Sequence, residues 1–176
     1  HLYARRQRQM CIRDRDRNDI QFLLMGFGPE YENLINLRDE LELKDFIDLP
    51  GRVEGVELFS ALSTMDLGVS GDPINPYNHH CTMNKVLEYM AMGKPQVSFN
   101  LKESRYSAGE AAIFVNEVSS QALGQAISDL IDDFEKRKSM GRIGYERFHS
   151  DLNWEKSVQQ LEAAYSHTCL LYTSPS

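Results

Sequence analysis

The 176 residues carry 19 Lys and Arg against 26 Asp and Glu, a formal charge of −7, and 41% of them are hydrophobic, which suffices for one domain with a real core. The acidic balance argues against nucleic acid as a partner, and no stretch approaches the ~20 apolar residues of a membrane span. Of the three Cys, Cys11 and Cys169 lie in the terminal stretches set aside below, and Cys81 alone makes no disulfide framework, which suits a reducing compartment.

Both ends read as foreign. Residues 10–14 are Met-Cys-Ile-Arg-Asp and residues 169–174 are Cys-Leu-Leu-Tyr-Thr-Ser. One short DNA duplex encodes the second peptide on one strand and the first on the other. The two peptides resemble translated sequencing-library adapters, with Arg5–Gln9 as adjoining adapter, so residues 1–15 and 169–176 are expected to be non-native. The native stretch is then 16–168, an α/β domain whose own N-terminal part is missing. Without the two ends the charge becomes −11, with 14 basic and 25 acidic residues. The run Arg5, Arg6, Arg8 then ceases to count as a nucleic-acid arm, and Cys81 is the one Cys left.

Ile20–Met25 is a continuous apolar run, as in a strand covered on both faces. Gly26-Phe27-Gly28-Pro29 is a tight turn. Pro29 and Glu30 open a helix reaching about Leu41, since Pro is tolerated in a first helical turn. Phe46–Leu49 reads as a second strand, ended by Pro50-Gly51. A short helix over Val56–Ser63 and a strand over Leu67–Ser70 follow. Gly71–Thr82 is a long polar loop broken by Pro73 and Pro76, of a length more often functional than idle.

Val86, Leu87, Met90 and Ala91 share one face of a short helix. Gly93 suits the positive φ just past its end, and Pro95 forbids continuation. Gln96–Phe99 is a buried strand. Asn100–Gly109 reads as another polar loop, and Ala112–Val115 as a strand. Ser119 or Ser120 caps a helix to about Ile131. A further helix opens near Asp132 or Asp133 and reaches about Phe148. Asn153 caps the last helix, in which Trp154, Val158, Leu161 and Tyr165 form one apolar stripe, with Trp154 expected to anchor packing. Strands alternating with helices predict an α/β fold with a Rossmann-like, doubly wound parallel sheet. Ligands of such sheets sit at the carboxyl ends of the strands, here the loops after Met25, Leu49, Ser70 and Phe99.

Several residues there could carry chemistry. The helix beginning near Asn84 offers free N–H groups and a dipole worth roughly 0.3–1 kcal/mol toward an anion. Lys85 adds a point charge in its first turn. Glu88 is a carboxylate in mid-helix among apolar neighbours, able to accept two hydroxyls. Each has a plainer reading: Gly26 and Gly28 as turn formers, Glu88 as a surface residue, and Lys102, Glu103, Arg105 and Tyr106 as a solvated loop. His79-His80-Cys81 invites a metal, but no further ligand stands at a suitable spacing, so no metal is expected.

The motifs taken together resemble the retaining glycosyltransferases of family 4. Gly26-Phe27-Gly28-Pro29 is similar to that family's GxGP turn. Leu49-Pro50-Gly51-Arg52-Val53, then Glu57-Leu58 and Met65-Asp66-Leu67, resemble its G-x-V…E-L…A-D-L segment. Leu87–Val97 (LEYMAMGKPQV) is similar to its hEAMAxGxPVV signature. Order and spacing agree over about residues 20–165.

The resemblance implies the C-terminal, donor-binding half of a GT-B fold, truncated at its N-terminus. It implies transfer of a sugar from a nucleoside diphosphate sugar to a glycan, lipid or small-molecule acceptor, with retention, without cofactor or essential metal. The intact enzyme would be cytoplasmic or at the cytoplasmic face of the membrane, with its acceptor held by a missing N-terminal domain. Donor contacts fall on Gly26, Gly28, Arg52, Val53, Asn84, Lys85, Val86 and Glu88, with Glu88 on the ribose hydroxyls. The chain departs from the pattern at His80, where the family has a Glu contacting the transferred sugar. The family's strand whose Arg and Lys residues clamp the diphosphate is implied before Ile20 and is expected to be missing along with the acceptor domain. A non-catalytic ligand- or protein-binding module and a GT-B nucleotide-sugar epimerase are the alternatives.

Overall fold

The computed structural model describes residue 17 and residues 19–173, with side chains through Thr168. The expectation that residues 1–15 are non-native therefore lies outside the described residues. The elements run β1 (Phe22–Met25), α1 (Tyr31–Glu40), β2 (Ile47–Gly51), α2 (Gly55–Thr64), β3 (Gly68–Ser70), α3 (Asn84–Ala91), β4 (Gln96–Phe99), α4 (Lys102–Ala108), β5 (Ala112–Val115), α5 (Ser120–Asp132), α6 (Phe134–Asp151) and α7 (Trp154–Thr173).

All the strand pairs are parallel. β1 pairs with β2, and β3, β4 and β5 form a three-stranded ladder in which Gly68, Val69 and Ser70 face Gln96, Val97 and Ser98. The second ladder is covered on both faces, as a doubly wound sheet requires. On one face Val97, Phe99 and Val115 pack with Leu123, Ile127 and Leu130 of α5 and Met140 of α6. On the other, Ala112 and Phe114 meet Val86 and Met90 of α3, together with Phe148 and Leu152. Gln96, wholly buried on β4, donates from Nε2 to the Val86 carbonyl at 3.0 Å and fastens α3 to the sheet.

Two glycines permit that fastening. Gly93 takes φ +64° just past α3, the left-handed value expected of it. Gly141 lets α6 cross at its carbonyl, since a Cβ on Gly141 would lie 2.1 Å from the Gly93 oxygen.

The elements differ from the sequence reading in three places. β2 runs through Pro50 to Gly51 instead of stopping at Leu49. Lys102–Ala108 is a helix, not a loop: Leu101 ahead of it is fully buried, Ser104, Ser107 and Ala108 face inward, and Gly109 at φ +52° ends it. The polar composition had hidden an inward face made of small serines. The stripe on α7 does not pack inward either. Trp154 is 73% exposed, with Leu161 and Tyr165 also exposed, so Trp154 is not the anchor expected. The caps stand as expected: Ser119 accepts from the Ala122 amide, Asp133 from Lys136 and Asn153 from Lys156.

Candidate functional site

A cavity of about 940 Å³ runs between β1 and β3, from Ile20 and Asp66 at their amino ends to Gly26 and Gly71 at the carboxyl edge. Gly26, Arg52, Val53, Lys85 and Glu88 all line it, although they come from three separate segments. Gly28, Asn84, Val86 and His80 are not on its wall.

Each segment is held in place by local chemistry. Gly26 ends β1 at φ +150°, which a side chain would resist, and its amide donates to the Gly51 carbonyl at 2.7 Å. Gly28 has ordinary φ and open space around it, so it is a turn residue of convenience. Its carbonyl accepts from the Tyr31 amide, and the Tyr31 hydroxyl donates to the Leu49 carbonyl at 2.6 Å, so the turn, α1 and β2 form one unit. Arg52 follows β2, exposed and paired with Glu54.

α3 presents its N-terminus without any side-chain cap. The Val86 amide turns back to the Met83 carbonyl at 2.9 Å and is thereby spent. Val86 itself is buried, and its carbonyl serves Gln96, so it is a packing residue rather than a contact surface. Asn84 is exposed at the head of the helix. Glu88, one turn further on, is exposed and on the cavity wall.

Lys85 carries a partner that sequence reasoning missed. Its Nζ lies 2.9 and 3.0 Å from the two Asp72 carboxylate oxygens. The Ser70 hydroxyl, at the end of β3, donates to the same carboxylate at 2.6 Å. The ammonium is therefore half neutralised and fixed in direction. The available signal was an acid two residues past a strand end, at the edge where ligands bind. Tyr89 backs this group. Burial, then the charges of Glu88 and Asp72, push its phenol up to about 12.

His80 lies in a short 3-10 turn over Asn78–His80 and is exposed. Its neighbour His79 accepts the Lys102 amide at Nδ1, at 3.3 Å. On α4, Arg105 packs over the Phe114 ring and donates to Asn100, while Glu103 accepts from Thr82. Among the described residues no group of three His, Cys, Asp or Glu could hold a metal.

A parallel sheet wound on both faces, with a crevice reaching its carboxyl edge, is the architecture of nucleotide-type α/β domains. The family is more definite: the model of the group 1 glycosyl transferases matches residues 7–133, and the chain belongs to that family. A sucrose-phosphate synthase from Thermosynechococcus elongatus is similar in structure, with a TM-score of 0.76 at 21% identity, over 95% of this chain and 43% of that one. A TarM mutant from S. aureus, solved with fondaparinux, α-GlcNAc-glycerol and UDP, gives 0.77 at 13% identity over 93% and 32%. A glycosyltransferase from Rickettsia africae gives 0.75 at 14%, over 92% and 44%. These likenesses place the fold with the GT-B enzymes, and the chain spans less than half of each structure it matches. No curated protein matches it significantly.

Proposed function

We propose that this chain is the donor-binding half of a retaining glycosyltransferase. It holds the nucleotide of a nucleoside diphosphate sugar, and an N-terminal domain presents a glycan, lipid or small-molecule acceptor. The observation that carries the reading is the convergence of Gly26, Arg52, Val53, Lys85 and Glu88 on one cavity, at the end of it that reaches the carboxyl ends of β1 and β3. The uncapped start of α3 and the Lys85 ammonium face developing charge on a departing diphosphate, and preorganised donors of that kind are usually the largest catalytic contribution. Glu88 accepts the ribose hydroxyls, each as a charge-assisted hydrogen bond of about 1.5–3 kcal/mol. The same reading includes net retention without a metal, a cytoplasmic setting for the intact enzyme, and residues 16–168 as the native stretch. No helix among the described residues is long and apolar enough to cross a membrane.

Isothermal titration of UDP, GDP and ADP into the 176-residue chain tests it. One of the three binds, and Glu88→Gln weakens it at least about tenfold, the lower end for one charge-assisted bond. If none of them binds a chain whose circular dichroism shows an intact fold, the reading fails.

A further inference from the structure

Among the described residues three cations line the cavity, Arg52, Lys85 and Arg137, and they are held in different ways. Arg137 donates to the Leu130 and Ile131 carbonyls and lies 3.9 Å from Asp66, at the amino end of β3. The Arg52–Glu54 pair stands in solvent, its side chains 76% and 66% exposed, and pairs of that kind separate at little cost. The Lys85–Asp72 pair is built otherwise. The Asp72 side chain is 15% exposed and off the cavity wall, whereas that of Lys85 is 37% exposed and on it. Ser70 is fully buried, and its hydroxyl locks the Asp72 carboxylate at 2.6 Å. A fixed anion thus stands behind an ammonium on a flexible stem. The pair is not needed to strap down the loop from Gly71 to Thr82. That loop is tied without it: Asn75 Oδ1 accepts the Asn78 amide and Asn78 Nδ2 donates to the Pro73 carbonyl, both at 2.8 Å, while the Thr82 hydroxyl donates to Glu103.

An anion that draws on Lys85 shares it with Asp72 and feels the repulsion of that carboxylate. The repulsion grows with the charge the ligand brings. In a nucleoside diphosphate sugar both phosphates are esterified, and each carries one charge. On transfer, the bond from the sugar's anomeric carbon to the diphosphate oxygen breaks and its electron pair stays on that oxygen. The acceptor hydroxyl oxygen bonds to the anomeric carbon, and its proton passes to solvent. The terminal phosphate then has a second ionisation, with a pKa of about 6, so the departing diphosphate carries about one charge more than the donor did. We propose that Asp72 is a positioning residue acting through Lys85 as a counter-charge. It weakens the hold of the site on the departing nucleoside diphosphate more than on the intact donor, and so favours exchange of one for the other. The inference rests on the nucleotide site proposed for this cavity. Product release limits turnover in many enzymes, which gives such a counter-charge its use.

Isothermal titration of the 176-residue chain and of its Asp72→Asn variant tests it. The paired probes are UDP with UDP-glucose, GDP with GDP-mannose and ADP with ADP-glucose, and inorganic pyrophosphate is the probe without a base. Asn keeps the shape of Asp72 and an acceptor for Ser70, and removes the charge. For the nucleotide that binds, Asp72→Asn tightens the free diphosphate about tenfold and its sugar ester no more than about fivefold, in keeping with their charges. Pyrophosphate tightens as the free diphosphate does. Glu54→Gln, in the exposed pair, changes each affinity less than about twofold. Damage to the fold does not produce a gain of affinity, and Asp72→Ser, which removes the same charge, gives the same gain. Unchanged or weaker diphosphate binding in both Asp72 variants overturns the proposal, as does equal tightening of diphosphate and ester. Pyrophosphate that binds and tightens where no nucleotide binds overturns the nucleotide reading, and with it the preference for release, while supporting the counter-charge on Lys85. No binding of any probe by folded chains overturns both.

Discussion

β1 and β4 are both four-residue parallel strands, and their sequences misstate their surroundings. FLLM is entirely apolar, yet no residue of β1 is buried and Leu23 is 45% exposed. QVSF is half polar, yet all four residues of β4 are buried. Among the described residues β4 has strand neighbours on both sides, whereas β1 has one. An apolar run thus does not by itself predict burial, which follows how many neighbours cover the strand. The half containing β3, β4 and β5 is a finished core, and the half containing β1 and β2 is a limb beside it.

The largest expected effect follows directly. Phe99→Ala, in the finished half, costs about 3–5 kcal/mol, because its neighbours on α5 and β5 cannot collapse onto the space left. Leu23→Ala, in the limb, costs under about 1 kcal/mol, since half of its side chain is already in water. Urea denaturation of both variants measures the contrast. Equal costs would show that the limb is packed as firmly as the core.

A second contrast uses glycines. Gly141→Ala drives a Cβ into the Gly93 carbonyl, which is backbone and cannot swing aside. Separating α6 from α3 to relieve it costs about 1–3 kcal/mol. Gly28→Ala, in the limb, meets nothing within 4 Å at an ordinary φ and stays within about 0.5 kcal/mol of the parent. Thermal melts of the pair decide it, and a Gly28 variant as damaged as the Gly141 variant would break the distinction.

The same contrast explains how much was legible beforehand. Alternating strands and helices gave the doubly wound class; the apolar faces of α3 and α5 placed those helices within about a residue, and the stop at Gly93 and Pro95 marked where β4 begins. α4 was hidden because its inward face is Ser104, Ser107 and Ala108, residues too small and too polar to register as a stripe. The α7 stripe was legible as a pattern, but a pattern does not say what covers it, and Trp154 remains in solvent. Motif spacing singled out Gly26 and Glu88, which share the cavity wall, along with Gly28, Asn84 and Val86, which do not. The Asp72 partner of Lys85 was not legible, because it depends on how a thirteen-residue separation folds back on itself. The break between β1 and β3 could not be read from either strand, since it lies in their pairing rather than their composition.

The smallest expected effect lies where the two halves face each other. The Tyr89 ring packs against Gly68, where a Cβ would come within 2.3 Å of it, and its hydroxyl reaches the Val69 carbonyl. Burial and the nearby carboxylates of Glu88 and Asp72 hold the phenol protonated up to about 12. In the unfolded chain it ionises near its ordinary value of about 10. Between those values the unfolded chain has released the proton and the folded chain retains it. Stability from this source is therefore complete below pH 10 and declines as pH rises toward 12, by about 1 kcal/mol between pH 10 and 11. Tyr89→Phe removes that decline whatever it does to stability at pH 7, so the variant's urea midpoint falls less steeply with pH than the parent's. Parallel pH curves for the two proteins would place the Tyr89 hydroxyl in water, and the slot between the two halves would then be wide open to solvent rather than closed around an apolar wall.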